Sequence, residues 1–313
     1  MRRPRLALTF LALLAPTAAA ALLSSCGARS DLYVGPLDRP DEDEDAGVDA
    51  APDAPLDAPP DVPPDVPEDG LPPCDLDLLY IYLVTSETDL YRYRPDTGEF
   101  SLVGNLACSG SAAPFSMGVA RTGTAYVLYG DGEIFRVSTA DASCESTDWI
   151  PGSGGFATFG MGFAIDDDMQ GETLHVAEIN FQGPSAGLAT IDTGTFDIDY
   201  IGPFSENPGN AIELTSSDDG RLYGYFLNAN GPGGFVVEID KATAEILSSV
   251  PLPAGGQGSA LAFAYWAGDF YIFTSDGGGT TVTRYKPSDG SVEVVTTLSR
   301  TVVGAGVSTC TIP

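Results

Sequence analysis

Glu213 is an acid in an apolar setting: it lies in the run Ala211-Ile212-Glu213-Leu214, with Asn210 just before it. A carboxyl among small apolar neighbours can hold a ligand by hydrogen bonds. With a second carboxyl at a suitable distance it can cleave a glycosidic bond. No convincing second acid lies in a comparable run, since Glu178 and Asp240 fall further along their segments. Tyr265 and Trp266, in FAYWAGD, offer rings that can stack on a sugar or a peptide, although packing is the commoner use of such rings. Asn210, Glu213, Tyr265 and Trp266 are therefore the candidate ligand-binding residues.

Other chemistry is thin. Asp166 and Asp168, in AIDDDMQGET, alternate with Asp167 and can turn toward one ion. They are the candidate calcium ligands, against a solvated turn as the plain alternative. The stretch does not follow the EF-hand spacing. His175 is the single histidine, and the corresponding positions of its neighbouring segments are Tyr80, Tyr126, Tyr223 and Tyr271. That column reads as structural. There is no Gly-x-Ser-x-Gly elbow, no phosphate-binding loop and no Cys-x-x-Cys pair, so no catalytic residue is assigned and no cofactor other than calcium is expected.

The segments that carry these residues repeat. PFSMGVAR, TFGMGFAI, GNAIELTS and GSALAFAY form one phrase, and TAYVLY, TLHVAEI, RLYGYF and DFYIFT form the next. A third phrase comprises EIFRVS, GLATID, FVVEID and TVTRYK, and a fourth strand such as FDIDYIG, AEILSSV or SVEVVTT closes each unit. Met117, Met161, Ala211 and Ala260 are spaced by 44, 50 and 49 residues. Four short strands in 40 to 50 residues is the period of a propeller blade. Residues 78 to 104 supply phrases two to four without the first, and VVGAGVST at 302 to 309 is a first phrase with nothing after it. The two ends make one blade. The expected fold is all-β, a five-bladed β-propeller over residues 74–313 closed by the C-terminal strand. Its blades are 302–309 with 78–104, then 116–150, 159–202, 210–250 and 259–298. Gly118, Gly162, Gly304 and Gly306 stand where inner strands crowd around the axis.

Four cysteines fall in this region, which allows two disulfides in three connectivities. The circular model sets Cys74 against Cys310 across one turn. It leaves Cys108–Cys144 as the second pair, at the boundary and outer part of blade two.

The stretches LYRYRPDTGEFSLVG, IDTGTFDIDYIG and YKPSDGSVEVV resemble the repeats of bacterial surface and secreted β-propellers over residues 75 to 310. The Trp-Asp signature of WD40 blades is absent. The resemblance implies that a ligand meets the face or mouth of the central channel. The expected role is a binding or scaffold module for a protein, peptide or glycan. A glycan-active hydrolase or lyase with acids at the channel mouth is the alternative.

The N-terminal stretch addresses the protein. Arg2, Arg3 and Arg5 precede an apolar run from Leu6 to Leu23, the pattern of a signal peptide over residues 1–25. Leu23-Ser24-Ser25-Cys26 resembles the lipobox of bacterial lipoproteins. That implies cleavage before Cys26, lipidation of Cys26 and a membrane anchor; Gly27 in place of Asp implies the outer membrane of a bacterial envelope. Residues 26–73 are the tether: from Asp31 to Pro73 there are 14 acids and one base, Arg39. Such a Pro- and Asp-rich segment buries too little to fold. The whole chain of 313 residues has 14 Lys and Arg against 44 Asp and Glu, a formal charge of −30. That charge excludes nucleic acid as a partner, and a monomer is expected. Intact-mass analysis is expected to show a chain beginning at an acylated Cys26, and Cys26→Ser is expected to move the protein from the membrane to the soluble fraction. A wild-type chain cut near Ala20 and found soluble refutes the anchor.

Overall fold

A computed structural model describes residues 71, 79–181, 183–206, 209, 211–228, 231–253, 258 and 260–310. The signal peptide, Cys26, the tether, Cys74 and Asn210 lie outside the described residues. Compact units divide the chain at residue 60, and everything described belongs to 61–313.

Twenty strands form five four-stranded antiparallel sheets. The chain enters on β1 (Ile81–Thr85), β2 (Asp89–Arg94) and β3 (Glu99–Asn105). Blade two is β4 (Pro114–Val119), β5 (Thr124–Tyr129), β6 (Ile134–Ser138) and β7 (Cys144–Ser146). Blade three is β8 (Phe159–Ile165), β9 (Glu172–Glu178), β10 (Leu188–Ile191) and β11 (Ile198–Gly202). Blade four is β12 (Ile212–Ser216), β13 (Leu222–Leu227), β14 (Gly234–Ile239) and β15 (Ile246–Leu252). Blade five is β16 (Ala260–Trp266), β17 (Asp269–Ser275), β18 (Thr280–Lys286) and β19 (Ser291–Leu298). The last strand, β20 (Val302–Gly306), pairs with β1, so blade one reads β20-β1-β2-β3. The protein is a five-bladed β-propeller closed by its C-terminal strand.

The sequence pattern explains the packing. A propeller blade is buried on both faces, so both alternating sets of side chains must be apolar. In β1, Ile81 and Leu83 pack against blade five while Tyr82 and Val84 pack against blade two. In β5, Val127 and Tyr129 join blade one while Tyr126 and Leu128 join blade three. There are five such apolar clusters among the described residues, one between each pair of adjacent blades. Each outer strand meets solvent on its far edge, and exposed Leu102, Tyr200, Leu247 and Val294 all lie there.

The turn from third to fourth strand is built the same way five times. A backbone N–H reaches back four residues, from Gly98 to Arg94, Ala142 to Ser138, Phe196 to Asp192, Ala244 to Asp240 and Gly290 to Lys286. The donor residue is left-handed every time, with φ between 61° and 75°. Glycine meets that demand without strain at 98 and 290. At 192 and 240 the aspartate carboxylate instead accepts two backbone N–H bonds and holds the turn. The letters Asp-Thr-Gly at 96–98 and 192–194 are thus not equivalent: Gly98 matches Phe196, not Gly194. The inward tyrosine column is also corrected by one rung pair. Tyr82, opposite Gly306, matches Tyr126, His175, Tyr223 and Tyr271, and Tyr80 precedes β1.

Two locks supplement the ring. Cys108 and Cys144 are bonded, with Cα atoms 5.2 Å apart. The bond pins the three-residue β7 to the approach to β4, and on loop entropy contributes about 4 kcal/mol. Cys310 is buried and disulfide-bonded, with its partner outside the described residues. Beyond β20, the Thr309 hydroxyl donates to Glu172 Oε2 and the Thr309 carbonyl accepts from Arg121 Nη1, at 2.7 and 2.9 Å. The last residues therefore grip blades two and three as well as blade one. Truncation after Arg300 removes the inner strand and this latch together. It is expected to leave the β1 edge unpaired and turn a discrete species in size-exclusion chromatography into aggregate; a monodisperse truncation product with native far-UV dichroism refutes the closure.

Candidate functional site

Inner strands β20, β4, β8, β12 and β16 surround the axis, each touching the next. Their pairing with the second strands puts Gly304, Ser116, Gly160, Glu213 and Ala262 on one rung. Space at this rung is scarce. A Cβ on Gly160 would run into the Ile212 carbonyl and stand 2.8 Å from Glu213 Cα, and one on Gly304 would stand 2.8 Å from Met117 N. Four of the five residues are small, and the fifth is glutamate.

Glu213 uses the space the others leave. Its strand, β12, is separated from β4 by β8, whose rung residue Gly160 has no side chain. The Ser116 Oγ donates to Glu213 Oε2 at 2.8 Å, across the axial space. Ser116 is 0% and Glu213 3% exposed. Burial pushes the Glu213 carboxyl well above the usual carboxylate range, and the bond from Ser116 only partly opposes it. Burial this deep opposes ionisation and favours the protonated form of Glu213. On the side where the inner strands begin, it borders a cavity of about 130 Å³ walled by Phe115, Ile179, Phe181, Leu261 and Val303. Asn210, expected beside it, lies outside the described residues.

Tyr265 and Trp266 end β16 and so lie toward the other end of the axis from Glu213. They do not share its cavity. The Trp266 indole N–H donates to the Leu79 carbonyl at 3.3 Å and its ring packs between blades five and one. Tyr265 lines a groove of about 470 Å³ between blades four and five, with Asp218, Asp219, Arg221, Tyr223 and Phe270. Tyr223 and Tyr265 set their rings edge-on to Phe270, with centroids 4.9 and 5.2 Å away. Arg221 hydrogen-bonds Asp219 at 2.6 Å and holds its carboxyl down at about 2. Burial, then the charge of Asp219, pushes Asp218 upward, while Tyr265 hydrogen-bonds it.

Asp166 and Asp168 are engaged within their turn. Asp166 accepts from the Thr173 hydroxyl at 2.7 Å and Asp168 from the Gln170 N–H at 3.0 Å. Asp167 pairs with Lys241 at 2.8 Å. Among the described residues no group of three or more His, Cys, Asp or Glu is placed to hold a metal ion. His175 is buried in β9 with Nδ1 3.1 Å from the Thr173 carbonyl, and burial lowers its pKa to about 4. It stays neutral and fills the column that tyrosine fills elsewhere. Trp149 is likewise structural, its N–H on the Gly132 carbonyl at 2.9 Å and its ring edge-on to Phe159. Ser116 is the functional residue that sequence reasoning missed. The phrases carry no signal for it, since Ser116 is third in PFSMGVAR and Glu213 fifth in GNAIELTS; only the strand pairing sets the two on one rung.

The upward shift of Glu213 fixes a pH dependence. Glu213 has a folded pKa raised above its unfolded one. Its contribution is therefore fully present below the ordinary carboxylate range and lost as pH rises toward the raised value. Over that window wild type is expected to lose stability relative to Glu213→Gln by about 1.4 kcal/mol per pH unit. Urea titrations of both proteins at a series of pH values measure this; parallel pH profiles refute a buried neutral acid.

No protein-family model matches the chain, and no curated protein does. Among solved structures it is similar to Kuenenia stuttgartiensis hydrazine synthase, at 16% identity over 68% of this chain and 64% of that one, with a TM-score of 0.38. It is similar to TolB from Acinetobacter baumannii at 13% identity, over 73% of this chain and 55% of that one, TM-score 0.41. A nidogen/laminin complex gives 8% identity over 73% and 97%, TM-score 0.47. The chain thus spans less than two thirds of the hydrazine synthase and TolB chains. These are distant likenesses, and the fold stands on the strand pairing itself.

Proposed function

We propose that this protein is a lipid-anchored, extracytoplasmic binding module whose propeller offers its channel mouth to a protein, peptide or glycan. The observation that carries the reading is the solitary acid. Among the described residues lining the mouth, Glu213 is the only carboxyl, and it is tied to Ser116 with its ionisation opposed by burial. Glycosidic hydrolysis by the usual routes needs two carboxyls at a set separation. A buried acid in an apolar recess suits recognition instead. In this reading Cys26 carries the lipid at an outer membrane, residues 26–73 space the propeller from it, and a Cys74–Cys310 bond fastens the ring beside the tether. No helix among the described residues is long and apolar enough to cross a membrane; in this reading Cys26 supplies the anchor.

A glycan-active hydrolase is the second reading. What favours it is the groove between blades four and five, where adjacent Asp218 and Asp219 are pushed in opposite directions, the pattern of an acid and base assignment. One experiment separates the two. The full chain is screened on glycan and peptide arrays and, in parallel, assayed for release of reducing ends or unsaturated products. The expected result is capture of a discrete ligand set, lost on Leu261→Asp at the mouth, with no turnover. Turnover that disappears in Asp218→Asn establishes the enzyme instead.

A further inference from the structure

The mouth cavity is specific in size and in chemistry. Its volume is about 130 Å³. An apolar protein cavity of about 150 Å³ stays dry and takes one benzene ring, whereas an ordered water needs two to four polar partners. The walls named above are apolar, and among the described residues lining the cavity the one ionisable side chain is Glu213. Its Oε2 is occupied by Ser116, while Oε1 has no hydrogen-bond partner among the described residues. Nor is Oε1 sealed inside protein, because the Tyr129 hydroxyl is the single buried side-chain N or O without a partner among the described residues. Glu213 lines the cavity, and Oε1 is the oxygen its bond to Ser116 leaves for a ligand there. A carboxyl there accepts a hydrogen bond in either state, and when protonated it also offers one O–H donor.

We propose that this cavity binds a phenolic ring, with the phenol hydroxyl hydrogen-bonded to Glu213 and the ring held by Phe115, Phe181 and Leu261. The proposal rests on the binding reading above and names its ligand class. The alternatives fit less well. An anionic ligand meets an acid within a chain of charge −30. A cation requires Glu213 to ionise in a site that opposes ionisation. A sugar ring is too polar for these walls, and its hydroxyls would go unpaired. A plain hydrocarbon fills the space but leaves Oε1 unsatisfied. A phenol satisfies both, and its ring can meet Phe115 and Phe181 edge to face. Two sources carry this group, a tyrosyl side chain of a partner and a free small phenol.

The test uses the full chain at neutral pH, with p-cresol, toluene and N-acetyltyrosinamide as probes, followed by calorimetry and by protein NMR. p-Cresol is expected to bind one-to-one and to shift the resonances of Phe115 and Leu261. Toluene is expected to bind about tenfold more weakly, the worth of one buried hydrogen bond. Glu213→Leu is expected to abolish that preference, and Glu213→Gln, which keeps a hydrogen-bonding group, to retain it. Melting curves verify that each variant is folded; replacing a buried acid by an apolar residue of similar size is commonly neutral or stabilising. Comparable binding of N-acetyltyrosinamide identifies a tyrosyl partner, and binding of p-cresol alone identifies a free phenol. Absence of p-cresol binding, equal affinity for toluene, or a preference that survives in Glu213→Leu overturns the proposal. Array capture that depends on Leu261 while p-cresol fails to bind leaves the binding module standing without the phenol.

Discussion

Five strands cannot meet around one axis unless their side chains at the crossing shrink. That crowding governs the structure. It sets glycine at 160 and 304, because the neighbouring backbone already occupies the place of a larger group, and the same rung holds alanine at 262 and serine at 116. Further out the blades diverge as wedges, and the gaps between them are filled by Tyr, Phe, Leu and Val from both faces. Small residues at the axis and large ones midway are two consequences of one radial geometry. Glu213 is the exception that the geometry permits, since a missing side chain at Gly160 opens the line to Ser116.

The same geometry separates two chemistries. At the mouth, burial among apolar walls opposes the ionisation of an acid. Between blades four and five the groove is open, and Asp219 meets Arg221 while Asp218 and Tyr265 share a hydrogen bond. The first environment presents shape and one free hydrogen-bonding oxygen, and the second charge and ring faces. In a chain with 44 acids, Glu213 is thus a carboxyl whose ionisation burial opposes.

Much of the architecture was legible in the sequence. The four phrases, their spacing and the orphan phrase at 302 determine five blades and their closure, because period-2 patterning and turn residues are local signals. Cys108–Cys144 followed from the same map. What was not legible depends on three-dimensional register. Identical Asp-Thr-Gly letters fall two residues apart in their turns, since either a glycine or an aspartate cap can support a left-handed residue. Tyr80 was taken for Tyr82 because Ile81 and Tyr82 are both buried and no polar residue marks the face. Glu213 stood out as an acid in an apolar strand. Its bond to Ser116 skips a blade, a relation for which linear spacing has no sign. Tyr265 and Trp266 stand out equally by type, yet the end of the strand on which they lie directs them elsewhere.

The closing strand also sets a schedule. β1 is among the first strands to leave the synthesis or export machinery, and its inner neighbour β20 follows more than two hundred residues later. Until then blade one keeps an open edge, and the pairing that completes it is the longest-range contact of the sheets. Long-range pairings form slowly, because chain closure must precede any gain. Blades two to five are each contiguous in sequence and can form as they emerge. The protein therefore acquires its ring last, and for most of its assembly the recess around Glu213 has no fifth wall.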